Sequence, residues 1–291
     1  MKAGLSVNTR AVYGQALDLF ARFRAAYDFN QTWPAPMSHW ETFISYLFHQ
    51  GYAYRTASTY ISALRFKHKL MGFNNDSYEV VISKMLEGYR RSKTAVKDTR
   101  LPITYELLSR VCLELEHICD SRYEILLFRA AYTLAFFGLF RVGELVFSSS
   151  DMANRPLFLS DLKDFVPTRE FTVYLRRSKT NQSGPPTPIN IVAIGTTSCP
   201  VSAMQAYLRV RPTTSPSSPL FCHSNGSPLN RYQFGAVLGR VIRTLGLAGA
   251  HYRSHSFRIG AATWLAHKGV PHHDIQRMGR WTSNAFRHYL R

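Results

Sequence analysis

An arginine and a glutamate three residues apart, Arg141 and Glu144, close the most apolar stretch of the chain, LAFFGLFRVGEL. Burying a guanidinium with a carboxylate is a weak source of stability, because desolvating both charges can outweigh their attraction. The pair therefore either faces water or is kept half-buried for an anionic ligand. A related pair, His255 and Arg258, lies in HSFRIGAATWLAHKG. Ser254 there can cap a helix that sets imidazole and guanidinium at i and i+3 on one face. That first turn has free N–H groups and the positive end of the helix dipole, both favourable to an anion. One histidine and one arginine on a helix are ordinarily surface decoration. Two guanidiniums converging on one phosphate, however, can hold its non-bridging oxygens by charge-assisted, bidentate contacts.

Downstream, MGRWTSNAFRHYLR supplies Trp281 after a Gly-Arg turn and Tyr289 eight residues later on a short final helix. Taken singly, each is a packing residue. LRRSKTNQ crowds Arg176, Arg177 and Lys179 onto one hairpin edge, where the plain reading is a solvated or phosphate-contacting strand end. His267, His272, His273 and the Cys222–His223 pair lack the spacing of a zinc ligand set, so no metal and no cofactor is expected.

In this order, Arg141 with Glu144, Lys179 on a hairpin, His255-x-x-Arg258, Trp281 and Tyr289 resemble the tyrosine recombinase (phage integrase) family. The segments FRVGEL, HSFRIGAATW and GRWTSNAFRHYLR are similar in wording to recombinases of DIRS- and Crypton-type transposable elements. The resemblance implies a site-specific recombinase or integrase of double-stranded DNA. It would act as a homo-tetramer on two DNA sites through a Holliday junction, in the nucleus, or in the cytoplasm of a prokaryote. Tyr289 would attack a phosphodiester and form a 3′-phosphotyrosyl link, conserving its energy for rejoining. A free phenol titrates near pH 10, at about 10, so its proton must be removed in the transition state. His255 is the acid/base for that task, while Arg141 and Arg258 stabilise the phosphorane. Lys179 matches the family's general acid for the 5′-oxygen better than Arg176 or Arg177. Glu144 would orient Arg141 or the lysine, and Trp281 would contact the phosphate or buttress the site. Two departures stand out: the Trp281–Tyr289 interval of eight is one short of the usual nine, and the chain stops two residues after Tyr289. Many relatives continue with a helix that docks on a neighbour; either the sequence is truncated or protomers touch in another way. A binding-only protein on this fold and a type IB topoisomerase-like enzyme are the alternatives.

The elements that must carry these residues divide the chain in two. Residues 7–93 read as four helices, with Val12, Ala16, Leu17, Phe20 and Phe23 at helical spacing and SHWE, Ser38–Glu41, as a capping box for the second. The third exposes Arg55, Arg65, Lys67 and Lys69, either along a phosphate backbone or as an ordinary solvated face. By resemblance, residues 1–93 form the core-binding, DNA-contacting domain, 94–101 a basic linker, and 102–291 the catalytic domain. Within the latter, Thr104 caps a helix, the apolar helix runs to near Arg141, and FLSDLKDF, EFTVYLRRSK and PINIVAI read as strands. The fold class is mainly α with a small antiparallel sheet (α+β).

Bulk composition agrees with a polyanionic partner. Lys and Arg number 36 against 18 Asp and Glu, a net +18, and residues 230–291 carry ten basic residues and one acid, 10 − 1 = +9. A solvated basic surface is the plainer reading of charge alone. The longest apolar run, Ala130–Phe140, has eleven residues, short of the roughly twenty that span a bilayer. Met1–Gly14 has no apolar leader core, and the four cysteines form no CxxC pair, which suits a reducing compartment.

Overall fold

The computed structural model describes residues 5–74, 76–92, 98–147, 156–178, 181, 184–212 and 215–291. They divide into two compact units, Met1–Asp98 and Thr99–Arg291.

The first unit is built from α1 (Val7–Ala26), α2 (Met37–His49), α3 (Tyr54–Leu70) and α4 (Asp76–Ser92). Their apolar faces meet in a core of Phe20, Phe23, Trp40, Phe43, Ile44, Leu47, Ile61, Leu64 and Ile82. The helical periodicity of α1 thus holds for Ala16, Phe20 and Phe23, which are buried, and for the half-buried Leu17, whereas Val12 at its start is exposed because the core does not extend to that turn. The expected capping box does not form: α2 opens after Pro36, whose φ of −56° and ψ of 151° lead straight into the helix, and no side chain caps it. Ser38 is already inside the first turn, so its hydroxyl has no cap position to fill. The basic face of α3 is also less open than its sequence implies. Arg65 pairs with Glu79 of α4 at 3.0 Å, and the Lys67 ammonium sits 4.4 Å from the centre of the Trp33 ring. Arg55 and Lys69 are exposed.

The second unit begins with α5 (Tyr105–Ile118) and α6 (Arg122–Phe137), followed by the short α7 (Val142–Leu145). Thr104 caps α5 as its sequence predicts, its hydroxyl accepting from Leu107 N at 3.2 Å. Strands β1 (Leu162–Val166), β2 (Glu170–Leu175) and β3 (Thr187–Val192) form an antiparallel sheet in the order β1-β2-β3. Phe171, Val173 and Leu175 alternate inward along β2, and Phe171 faces Ile191 and Val173 faces Ile189 across the β2–β3 pair. Then come α8 (Pro200–Val210), α9 (Arg231–Thr244), α10 (Ser256–His267), α11 (His272–Met278) and a 3-10 turn at Asn284–Tyr289.

α6 is apolar around most of its circumference because it runs through the middle of this unit: Phe128, Ala131, Tyr132, Leu134, Ala135 and Phe136 are all buried. Against it packs α10, buried from Ser256 through Thr263. One further contact fixes α10. Leu101 N donates to His251 O at 2.9 Å and Ile103 N to Ser256 O at 3.0 Å, so residues 99–103 run along the loop that enters the helix. Gly260 permits the approach, since a Cβ there would lie 1.7 Å from the Ile103 carbonyl oxygen. Among the described residues, no helix is long and apolar enough to cross a membrane.

Candidate active site

The site is assembled from three chain reversals. The first follows α6, which stops at Phe137, earlier than the apolar run implies. Gly138, Leu139 and Phe140 make a turn in which Leu139 adopts the left-handed conformation, φ 46°. Arg141 then stands at the N-cap of α7, and Glu144, one turn on, folds back to it. Glu144 Oε2 accepts from Arg141 N and Oε1 from Arg141 Nη1, each at 2.9 Å. The Arg141 side chain is 25% exposed and that of Glu144 is 7% exposed. Of the two options open for this pair, the structure takes the half-buried one.

The second reversal enters α10. The helix begins at Ser256, with His255 in the cap position and Ser254 outside it, so the cap lies one residue beyond the predicted serine. Ser256 performs the local hydrogen bonding instead, its hydroxyl accepting from Arg253 N at 3.1 Å. His255 is partly open, whereas Arg258 is entirely buried. Arg258 Nη2 donates to Gly279 O at 2.8 Å, and Nη1 donates to Leu139 O. Its guanidinium carbon lies 4.3 Å from the centre of the Trp281 ring and 5.7 Å from that of Tyr289. Burial first, then repulsion from Arg141 and Arg280, pushes the Arg258 pKa down to about 9.

The third reversal is Gly279–Arg280–Trp281. A Cβ on Gly279 would fall 1.6 Å from the Trp281 ring, so only glycine lets the indole fold back over Arg258. Arg280 takes the left-handed conformation, φ 57°. It sends its side chain inward: Nη1 donates to Gly138 O at 3.1 Å and Met278 O at 3.2 Å, and Nη2 to Leu139 O at 2.9 Å and Glu144 Oε2 at 3.1 Å. Burial lowers its pKa as well, with Glu144 opposing the shift.

The 3-10 turn then delivers Tyr289. Its hydroxyl and His255 Nε2 are 2.6 Å apart. The phenol ring is 5.0 Å from the imidazole and 4.9 Å from the Trp281 ring, centre to centre. The Thr263 hydroxyl of α10 anchors this turn, donating to Tyr289 O at 3.1 Å and accepting from Arg291 N at the same distance. Phenol, imidazole and guanidiniums thus converge within one chain.

Of the other candidates, Arg176 is an anchor: its Nε donates to the buried Asp161 carboxylate and its Nη2 reaches Ser160 Oγ at 3.4 Å. Arg177 is exposed. Lys179 lies outside the described residues. Among the described residues, no group of three His, Cys, Asp or Glu side chains could hold a metal ion. Arg280 was absent from the sequence-derived set; it lies 289 − 280 = 9 residues before Tyr289, next to the Trp281 that was chosen.

Three arginines against one carboxylate leave 3 − 1 = +2 around a phenol hydrogen-bonded to an imidazole. Such an arrangement can draw in an anionic ester, relieve negative charge at its centre and remove a proton from an attacking hydroxyl.

Residues 114–290 match the model of the phage integrase family. The fold is similar to that of the XerH site-specific recombinase bound to difH substrate, with a TM-score of 0.64 and 18% identity over 97% of this chain and 76% of that one. It is similar to a lambda integrase dimer bound to a COC′ core site, with a TM-score of 0.65, 16% identity, and 98% and 72% of the respective chains covered. The Tn1549 transposon integrase in complex with circular intermediate DNA gives a TM-score of 0.61 and 14% identity, covering 99% and 91%. No curated protein matches the sequence.

Proposed function

The chain belongs to the phage integrase family, and from that premise we propose that it cuts and rejoins double-stranded DNA through a 3′-phosphotyrosyl intermediate. The observation that carries this reading is the 2.6 Å contact between the Tyr289 hydroxyl and His255 Nε2 beside the arginine cluster. The imidazole takes the phenolic proton as Tyr289 Oη bonds to phosphorus. Arg141, the more accessible guanidinium, receives the incoming phosphate. Arg258 joins it once the indole of Trp281 yields, and together they neutralise the non-bridging oxygens. The bond from phosphorus to the 5′-oxygen breaks, and Lys179 supplies the proton to that leaving oxygen. Attack by a 5′-hydroxyl reverses each step, so no external energy source is required.

Double-stranded DNA as partner is supported by the net charge of +18 and by the DNA complexes formed by the similar XerH, lambda and Tn1549 proteins. Exposed Arg55 and Lys69 on α3 are available for phosphate contacts in the first unit. Exchange between two sites in a tetramer, through a Holliday junction, completes the reading.

The test is a nicked suicide duplex that sheds its 5′-hydroxyl fragment after cleavage. Wild-type protein should accumulate as a covalent protein–DNA adduct that resists denaturation, and Tyr289→Phe should give none while still binding the duplex. Binding without any wild-type adduct would instead mark a DNA-binding protein that does not cut.

A further inference from the structure

We infer that Arg280 is a positioning residue of the strand-cleavage reaction, acting on the phosphate through Glu144 and Arg141 rather than by touching it. The inference rests on the recombinase reading above and concerns the charge that the site presents to its substrate.

What separates Arg280 from Arg258, which is also buried with both terminal nitrogens on main-chain carbonyls, is its bond to the Glu144 carboxylate that pairs with Arg141. The Arg280 side chain is 7% exposed. Both terminal nitrogens are directed at protein oxygens: Gly138 O and Met278 O for Nη1, Leu139 O and Glu144 Oε2 for Nη2. A left-handed backbone at Arg280 and another at Leu139 turn these groups toward each other. Non-glycine residues enter that region at some energetic cost, and they do so here on both sides of the same contact.

Glu144 therefore faces two guanidiniums, Oε1 toward Arg141 and Oε2 toward Arg280. Without Arg280, the carboxylate would be opposed by Arg141 alone, and its pull would cancel most of the charge that Arg141 can offer an incoming anion. Arg280 also fixes the carboxylate plane, which in turn sets the direction of the Arg141 fork. The phosphorane carries negative charge on both non-bridging oxygens, so a site of net +2 matches it better than one of net +1. Arg280 additionally links the turn after α6 to the Gly279–Trp281 turn, so the wall that bears Trp281 is held in register with Arg141.

The experiment measures single-turnover adduct formation on the suicide duplex for wild type, Arg280→Ala, Arg280→Lys, Glu144→Gln and the Arg280→Ala/Glu144→Gln double variant. Each is run on a normal scissile phosphodiester and on a neutral methylphosphonate at that position. Arg280→Ala should slow cleavage of the phosphodiester on the order of 10²-fold, as misplacement of a charge-stabilising group does, with duplex affinity little changed. The methylphosphonate, which lacks one negative oxygen, should show a much smaller loss. Arg280→Lys should recover part of the rate, since it restores charge without the four-way anchoring. The double variant should be no slower than the slower single one, because both residues act along one path.

Equal slowing on both substrates would mean that Arg280 only holds the fold, and would overturn the proposal. So would losses that multiply in the double variant, or an Arg280→Ala enzyme at wild-type rate. A wild type that forms no adduct overturns the recombinase reading itself, an outcome distinct from an active wild type indifferent to Arg280.

Discussion

Arg258 is held charged where burial and two neighbouring guanidiniums both oppose the charge. Its pKa in the folded protein lies below that of the unfolded chain, so the unfolded state binds the extra proton more readily. While the group is charged, this difference opposes folding in full at pH values below about 9. It fades as pH rises above that value toward the unfolded range, at about 1.4 kcal/mol per pH unit. Comparison of wild type with Arg258→Met, which cannot titrate there, isolates the effect. The wild-type unfolding midpoint should gain on that of the variant between pH 7 and pH 10; a constant difference would show that Arg258 is not under this stress. The same stress favours function, because an incoming phosphate adds counter-charge to the little that Glu144 supplies.

The elements that carry the site obey simpler rules than the residues they present. α10 can seat against residues 99–103 only because position 260 is glycine, with no room for a Cβ beside the Ile103 carbonyl. Gly260→Ala must separate two stretches of backbone, at about 1–3 kcal/mol for an overpacked contact. The expected result is a lower unfolding midpoint together with slower adduct formation, because His255 sits on the loop that residues 99–103 hold. An unchanged midpoint would show that this contact does not fix the helix. The helices and the three strands were legible in the sequence because burial imposes a period on each, 3.6 for α1 and α5, two for β2. Their ends were less so. Ser38 and Ser254 are plausible caps by type, yet Pro36 and His255 occupy the positions. A cap depends on where the backbone turns, and several polar residues in a row offer equal claims.

Across the whole molecule, charge and chemistry were readable to different depths. His255, Arg258 and Tyr289 were singled out in the sequence by resemblance to a family, and the fold brings them together with Arg141 and Glu144. Arg280 was not found. Two of its four partners are main-chain carbonyls in a left-handed turn 141 and 142 residues upstream, and no side-chain pattern records those. The net charge of +18 makes its own prediction. Were 6–10 phosphates contacted, duplex affinity should fall about 10³–10⁵-fold between 50 and 200 mM salt. Titrations with labelled duplex at four salt concentrations give the slope, and a flat response would remove phosphate contacts as the source of binding.

The seat of Tyr289 on His255, braced by Thr263 from below, has a bearing on how several copies of this protein would share work. Each copy holds the phenol and the imidazole in contact on the same polypeptide. If partners on paired sites are to take turns, the phenol and the imidazole at least are not parts that a neighbour has to lend. Drawing the last turn of the chain out of its own pocket would part them.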